Sequence, residues 1–99
     1  MFHHVVLMEF SSLSDQIFLK KVEDFAEQVR RSTPKLHRYV FKQNIALRSD
    51  GLTHGIVSTF DTSRDHDVYQ VSPIHLEMKA YMAPFLSRVV VLDLDEVQS

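Results

Sequence analysis

Alternation opens the chain. From about His3 to Phe10 every second residue falls on the same side of an extended segment. Phe2, His4, Val6, Met8 and Phe10 share one face, and His3, Val5, Leu7 and Glu9 share the other. Both faces carry apolar side chains. The period then changes: Ile17, Phe18, Val22, Phe25, Ala26 and Val29 recur at three- and four-residue steps, interrupted by Lys21, while Lys20, Glu23, Asp24, Glu27 and Arg30 take the wet side. Ser12 or Ser14 is expected to cap this helix, with Asp15 in its first turn, where the helix dipole favours an anion. Arg30 and Arg31 sit at the negative end of that dipole, and Pro34 closes the segment.

Leu36 to about Arg48 reads as extended, carrying Tyr39, Val40, Phe41, Ile45 and Leu47 with an irregularity at Gln43-Asn44. Ser49-Asp50-Gly51 supplies a hairpin turn, because Asp-Gly tolerates the positive φ such turns require. Thr53 to Phe60 follows as a third strand, with His54, Ile56, Ser58 and Phe60 on one face. Thr62 and Asp65 match a capping box for a helix running to about Val71. Ser72-Pro73 interrupts it, and a second helical piece extends from Ile74 to Phe85, with Pro84 tolerated only at its end. Arg88 to Asp95 is the last strand.

Strand, helix, strand, strand, helix, strand with right-handed crossovers predicts the α+β class. The expected protomer is a ferredoxin-like βαββαβ unit whose four-stranded antiparallel sheet is ordered 4-1-3-2. Residues 1–99 read as a single domain. Two helices cover one face of such a sheet. Yet Val5 and Leu7 oppose Val6 and Met8, and Val89 and Val91 oppose Val90 and Leu92, so strands one and four are apolar on both sides. The second face is expected to meet another copy of the chain, sheet against sheet, as a homodimer closing into an α/β barrel. A monomer would leave an apolar patch of a size that folded proteins rarely expose.

Composition adds exclusions. Hydrophobic residues at 44% and charged residues at 24% set disorder aside. The 11 Lys+Arg against 13 Asp+Glu give a formal charge of −2, so no nucleic-acid footprint is expected, although protonating all six histidines would turn it into +4. The absence of cysteine removes disulfides and thiol nucleophiles and agrees with a reducing, cytoplasmic location. No run approaches the roughly 18 apolar residues of a membrane span, and the opening residues read as a strand rather than a signal peptide.

Two glycines rule out a glycine-rich phosphate loop, which leaves an unusual stock of histidine: His3, His4, His37, His54, His66 and His75. His3 and His4 are strand neighbours pointing to opposite faces and cannot chelate one ion. Strand one begins where strand four finishes, which brings His4 near Asp93 when their faces agree. A carboxylate there holds the imidazole tautomer and raises its basicity. Asp93 also interrupts an apolar strand, and a buried carboxylate needs a partner. The second helix starts at the same end, with Tyr69 and His75 flanking its break. These four, with His54, could line a cavity walled by Val6, Met8, Ile56, Met78 and Met82. No metal is expected, because His54 opens strand three at the far end of the sheet from His4 and Asp93.

The bland readings stand beside these. A histidine among apolar neighbours is commonly a packed core residue, Tyr69 can be a packing aromatic, and Met78 and Met82 can be core filler. His3, His37 and His66 read as surface residues.

His4-Val5-Val6-Leu7-Met8-Glu9-Phe10, Phe41 to Asn44, Asp50-Gly51-Leu52-Thr53-His54, Tyr69 through His75 and Leu92-Asp93 occur in that order. Together they resemble, over essentially the whole length, the stress-responsive dimeric α/β-barrel (Dabb) family, which includes the plant polyketide cyclase olivetolic acid cyclase. Two positions depart from the pattern: Leu52 stands where an aromatic is usual and Ser72 where a histidine is common. The resemblance implies sheet-paired ferredoxin-like protomers and no cofactor. By the cyclase likeness, His75 would be the general base and Tyr69 would hold a carbonyl oxygen as it becomes an oxyanion. Asp93 would orient His75 or His4, and His4 and His54 would shape or polarise the pocket. The implied ligand is a small apolar or carbonyl-bearing molecule, with aldol, cyclase or isomerase-type chemistry. The alternative is a non-catalytic stress or structural dimer whose histidines are packing residues.

Overall fold

The structure, a computed structural model, describes residues 1–97. Its elements are β1 (Phe2–Phe10), α1 (Gln16–Ser32), β2 (Leu36–Gln43), β3 (His54–Phe60), α2 (Ser63–Gln70), α3 (Pro73–Met82), a 3-10 turn at Ala83–Phe85 and β4 (Leu86–Asp95). The four strands form one antiparallel sheet in the order β2-β3-β1-β4, with three helices in a ferredoxin-like βαββαβ arrangement. Among the described residues no helix is long and apolar enough to cross a membrane.

Local chemistry explains where the elements start and stop. Asp15, and not Ser12 or Ser14, caps α1: its carboxylate accepts the Phe18 N–H at 2.8 Å. Ser14 instead donates its hydroxyl to the Ser11 carbonyl. Ile17 points to solvent because Phe18 takes the inward position of the first turn. The second strand ends at Gln43 rather than near Arg48. Asn44 stops it, donating its side-chain amide to the Leu52 carbonyl and accepting the Ala46 N–H, an Asx turn that throws Ile45 and Leu47 out to solvent. Asp50 and Gly51 have the positive φ values that return the chain into β3.

Thr62 caps α2 by accepting the Asp65 N–H, and Ser72 caps α3, whose first residue is Pro73. The α-helix ends at Met82; Pro84 lies in the following 3-10 turn, and the last strand starts at Leu86.

The helices pack on the face that carries Phe2, His4, Met8 and Phe10 of β1, Ile56, Ser58 and Phe60 of β3, and Tyr39 and Phe41 of β2. They stop short of β4. Val89 and Val91 on the helix side are 46% and 53% exposed, and Val90, Leu92 and Leu94 on the far side are about as open. That far side continues through Val57 and the half-buried Val5, Leu7 and Val40 as one uncovered apolar face.

Phe60 is the largest anchor between α2 and the sheet, fully buried with its ring 5.5 Å from Tyr69 and 5.3 Å from His66. Phe60→Ala is expected to cost about 3–5 kcal/mol in urea unfolding, the range for deleting a buried aromatic. A loss below about 1 kcal/mol would mean that this layer is not the core.

Candidate functional site

A cavity of about 250 Å³ lies between α3, the end of α2 and the β1–β4 side of the sheet. Val6, Met8, Ile56, Val89 and Val91 form its sheet wall, and Met78, Met82 and Leu86 close it on the α3 side. Into this apolar space come His4, Tyr39, Tyr69, Gln70, His75 and Lys79. Few polar groups in an apolar hollow is the usual make-up of a small-molecule site, and this volume falls just under the roughly 300–1,000 Å³ of drug-sized pockets.

The break between α2 and α3 sets the geometry of His75. Gln70 is the last residue of α2, so its carbonyl has no helical partner. His75 Nδ1–H donates to that carbonyl at 2.9 Å, which fixes the tautomer and leaves Nε2 with its lone pair. Burial holds His75 below its ordinary pKa; the Gln70 hydrogen bond opposes this, while Lys79 and His4 add to it. The ring is therefore a neutral base at pH 7. Its orienting group is a backbone carbonyl, and Asp93 goes to His4 instead.

His4 and Asp93 face each other across the β1–β4 ladder, and Nδ1–H of His4 donates to Oδ1 of Asp93 at 2.5 Å. Because β4 is an uncovered edge, the Asp93 side chain is 44% exposed even though it pairs with a buried imidazole.

Tyr69 and Tyr39 meet hydroxyl to hydroxyl at 2.8 Å, and Tyr39 also reaches Met78 Sδ at 3.5 Å. Either hydroxyl can donate in this pair: with Tyr39 the donor, the Tyr69 proton faces the cavity, and with Tyr39 donating to Met78 Sδ, the Tyr69 proton goes to Tyr39. Burial pushes the Tyr39 hydroxyl up to about 12, and burial with the neighbouring Tyr39 raises Tyr69 further still. Both stay protonated at neutral pH, so each is a hydrogen-bond donor and neither is a base.

Of the residues singled out from sequence, His4, Tyr69, His75, Val6, Met8, Ile56, Met78 and Met82 line this cavity, and Asp93 reaches it through His4. His54 does not line it. Its ring packs against Phe10 and Phe41 at the start of β3, with Nδ1 on the Thr53 hydroxyl. His66 is a correction, since it is buried at 5% exposure, not at the surface. The inner side of α2 stacks it on Phe2 at 4.9 Å and on His4 at 4.2 Å, and the Gln70 amide donates to its Nε2 at 2.9 Å. His37 is exposed and pairs with Asp61; His3 is half-buried and pairs with Glu96.

Three lining residues carried a signal that went unused. Tyr39 alternates with Phe41 onto the inner face of β2 and opposes Ser58. Lys79 follows His75 by one helical turn. Gln70 ends a helix just before a Ser-Pro cap, where carbonyls are left over.

The sequence matches the profile of the stress responsive A/B barrel domain over residues 2–96. No curated protein matches it. Among solved structures, a hydroxynitrile lyase from Passiflora edulis is similar at 22% identity and TM-score 0.83, covering 99% of this chain and 96% of that one. A protein from Arabidopsis thaliana has 20% identity and TM-score 0.83 over 100% and 98%. A dimeric ferredoxin-like protein of unknown function from Thermobifida fusca has 20% identity and TM-score 0.82 over 94% and 88%. At these identities the likeness is one of fold.

His54, His66 and His75 are all held below their ordinary value of 6.5, with burial the leading cause in each. As pH falls beneath about 6.5 the unfolded chain takes up protons that the folded chain refuses. Stability is therefore fully present above that pH and drops through the window below it. Urea midpoints at about pH 7.5 and 5.5 check this: the acid midpoint is expected to be lower, and an equal or higher one would contradict the burial of these rings.

Proposed function

This chain belongs to the stress responsive A/B barrel domain family, and we propose that it binds a small apolar or carbonyl-bearing molecule in the α3–sheet cavity. There it performs cofactor-free acid–base chemistry of the aldol, cyclase or isomerase type. One observation carries the reading: a neutral His75 with its Nε2 lone pair open shares an apolar cavity with the protonated Tyr69 hydroxyl. A base of that kind removes a proton from a carbon beside a carbonyl. The Tyr69 O–H, backed by Tyr39, meets the oxygen as it gains negative charge, where a donor in a dry site is worth far more than in water. His4, steadied by Asp93, gives the wall a second polar point. The fold neighbour named a hydroxynitrile lyase supports lyase-type chemistry in such a scaffold.

Two copies are proposed to pair through the uncovered sheet face. The exposed Val57, Val90, Leu92 and Leu94 support this pairing, as does the Thermobifida fusca neighbour, which is described as dimeric. The lack of cysteine fits a reducing compartment, and the cytoplasm is the proposed setting.

The test needs no named substrate. Small ketones and β-dicarbonyl compounds are incubated with the protein in D₂O, and exchange beside the carbonyl is followed by NMR. His75→Gln is expected to abolish protein-dependent exchange, and Tyr69→Phe to slow it by about 10²-fold, with melting temperatures close to that of the parent. Exchange that survives His75→Gln sinks the proposed base. Silence across the compounds, together with no thermal shift by any of them, would leave the packing reading of the histidines.

Pairing has its own check. Sedimentation at micromolar concentration is expected to give twice the 11.5 kDa of one chain, and Leu92→Glu is expected to halve it. A single-chain mass for the parent would remove the dimer.

A further inference from the structure

We propose that His4, His66 and Asp93 form a binding site for one divalent transition-metal ion, with Zn²⁺ the ion their donors suit. The three residues come from β1, α2 and β4, and one donor atom from each lies within 4.8 Å of the other two. His66 is the unexplained member. It is a buried imidazole that does not line the cavity and serves no step of the chemistry above. An apolar residue would fill the space beside Phe2 and Phe60 without the cost of burying ring nitrogens.

Two imidazoles and one carboxylate favour zinc, nickel or copper over the all-oxygen shells of magnesium and calcium. Metal–ligand bonds of about 2.0–2.2 Å in a tetrahedron put donors roughly 3.3 Å apart. The His4–Asp93 contact of 2.5 Å has to open slightly, and His66 has to close in. Asp93 can absorb much of that shift, being half-exposed on an edge strand. Its exposure also leaves the remaining position to water, giving three protein ligands and one open place. Metal binding through Nδ1 requires His66 to carry its proton on Nε2, so the Gln70 side-chain amide, which here donates to Nε2, has to turn and accept from it through its oxygen. His75 and Tyr69 are not among the ligands, although His4 and Asp93 also belong to the wall of the proposed cavity site, and zinc binding is read by calorimetry without reference to proton exchange.

The experiment is calorimetric titration of ZnCl₂ into the metal-stripped full chain near pH 7.5, with MgCl₂ in parallel. One zinc per protomer at micromolar or tighter affinity is expected, with a raised melting temperature and no response to magnesium. His66→Gln and Asp93→Asn are each expected to weaken zinc binding at least tenfold. Asp93→Asn alters a half-exposed side chain and keeps the question answerable where His66→Gln fails to fold. His3→Gln, which breaks the surface pair with Glu96, is expected to change nothing. No zinc binding at about 1 mM, affinity indifferent to Asp93→Asn, or binding lost in His3→Gln would each overturn the proposal.

Discussion

A shortage of cover governs this molecule. The helices bury the inner side of β2, β3 and β1, but β4 is left bare on both faces. Among the described residues no further element covers it. On the inner side the missing cover becomes the cavity, because nothing sits over Val89 and Val91 where α3 stops. On the outer side it becomes a continuous apolar face, and hydrophobic area of that extent is unstable against water at about 25 cal/mol per Å². The cavity and the uncovered face proposed for pairing are two consequences of one deficit, and both run through the same strand.

The edge position of β4 also explains an electrostatic asymmetry. Asp93 holds a buried imidazole while remaining half in water, so its charge carries only part of the penalty of burial. The base of the proposed reaction is oriented differently. A backbone carbonyl has no charge to desolvate and no proton to gain, so His75 keeps its tautomer deep in the fold without a second buried ion. The two tyrosines extend the same economy: each hydroxyl answers the other, and burial keeps both protonated.

Parity and topology were legible in the residues. Alternation in the first and last strands put His4 and Asp93 on facing positions, and the break at Ser72-Pro73 pointed to Tyr69 and His75 at the same end. Tertiary context decides two positions differently from the local pattern: the burial of His66 and the extent of the cavity beside His54. His66 belongs to a short, weakly amphipathic helix whose inward side cannot be told from eight residues, so its burial under Phe2 and Phe60 had no local signature. His54 lies on the expected face and at the expected far end of the sheet, and its pairing with Met8 carries it toward Phe10 and Phe41, too far from Tyr69 to line the cavity. The early end of β2 turned on Asn44 bonding its own neighbours, which competes with the ladder at a cost that alternation alone does not register.

Gln70 ties these parts together. Its carbonyl fixes His75, the proposed base, and its side-chain amide fixes His66, beside His4. Its position is set from outside by the Ser72 cap, which donates to the Tyr69 carbonyl and receives the start of α3. The two attachments differ in kind. A substitution at Gln70 takes away the amide but cannot take away the carbonyl, so His66 is open to change through side-chain chemistry while His75 is protected by the backbone. A helix break reads as a defect in a periodic sequence, yet here it frees the carbonyl that orients His75 and brings the neighbouring hydroxyl of Tyr69 to the same cavity.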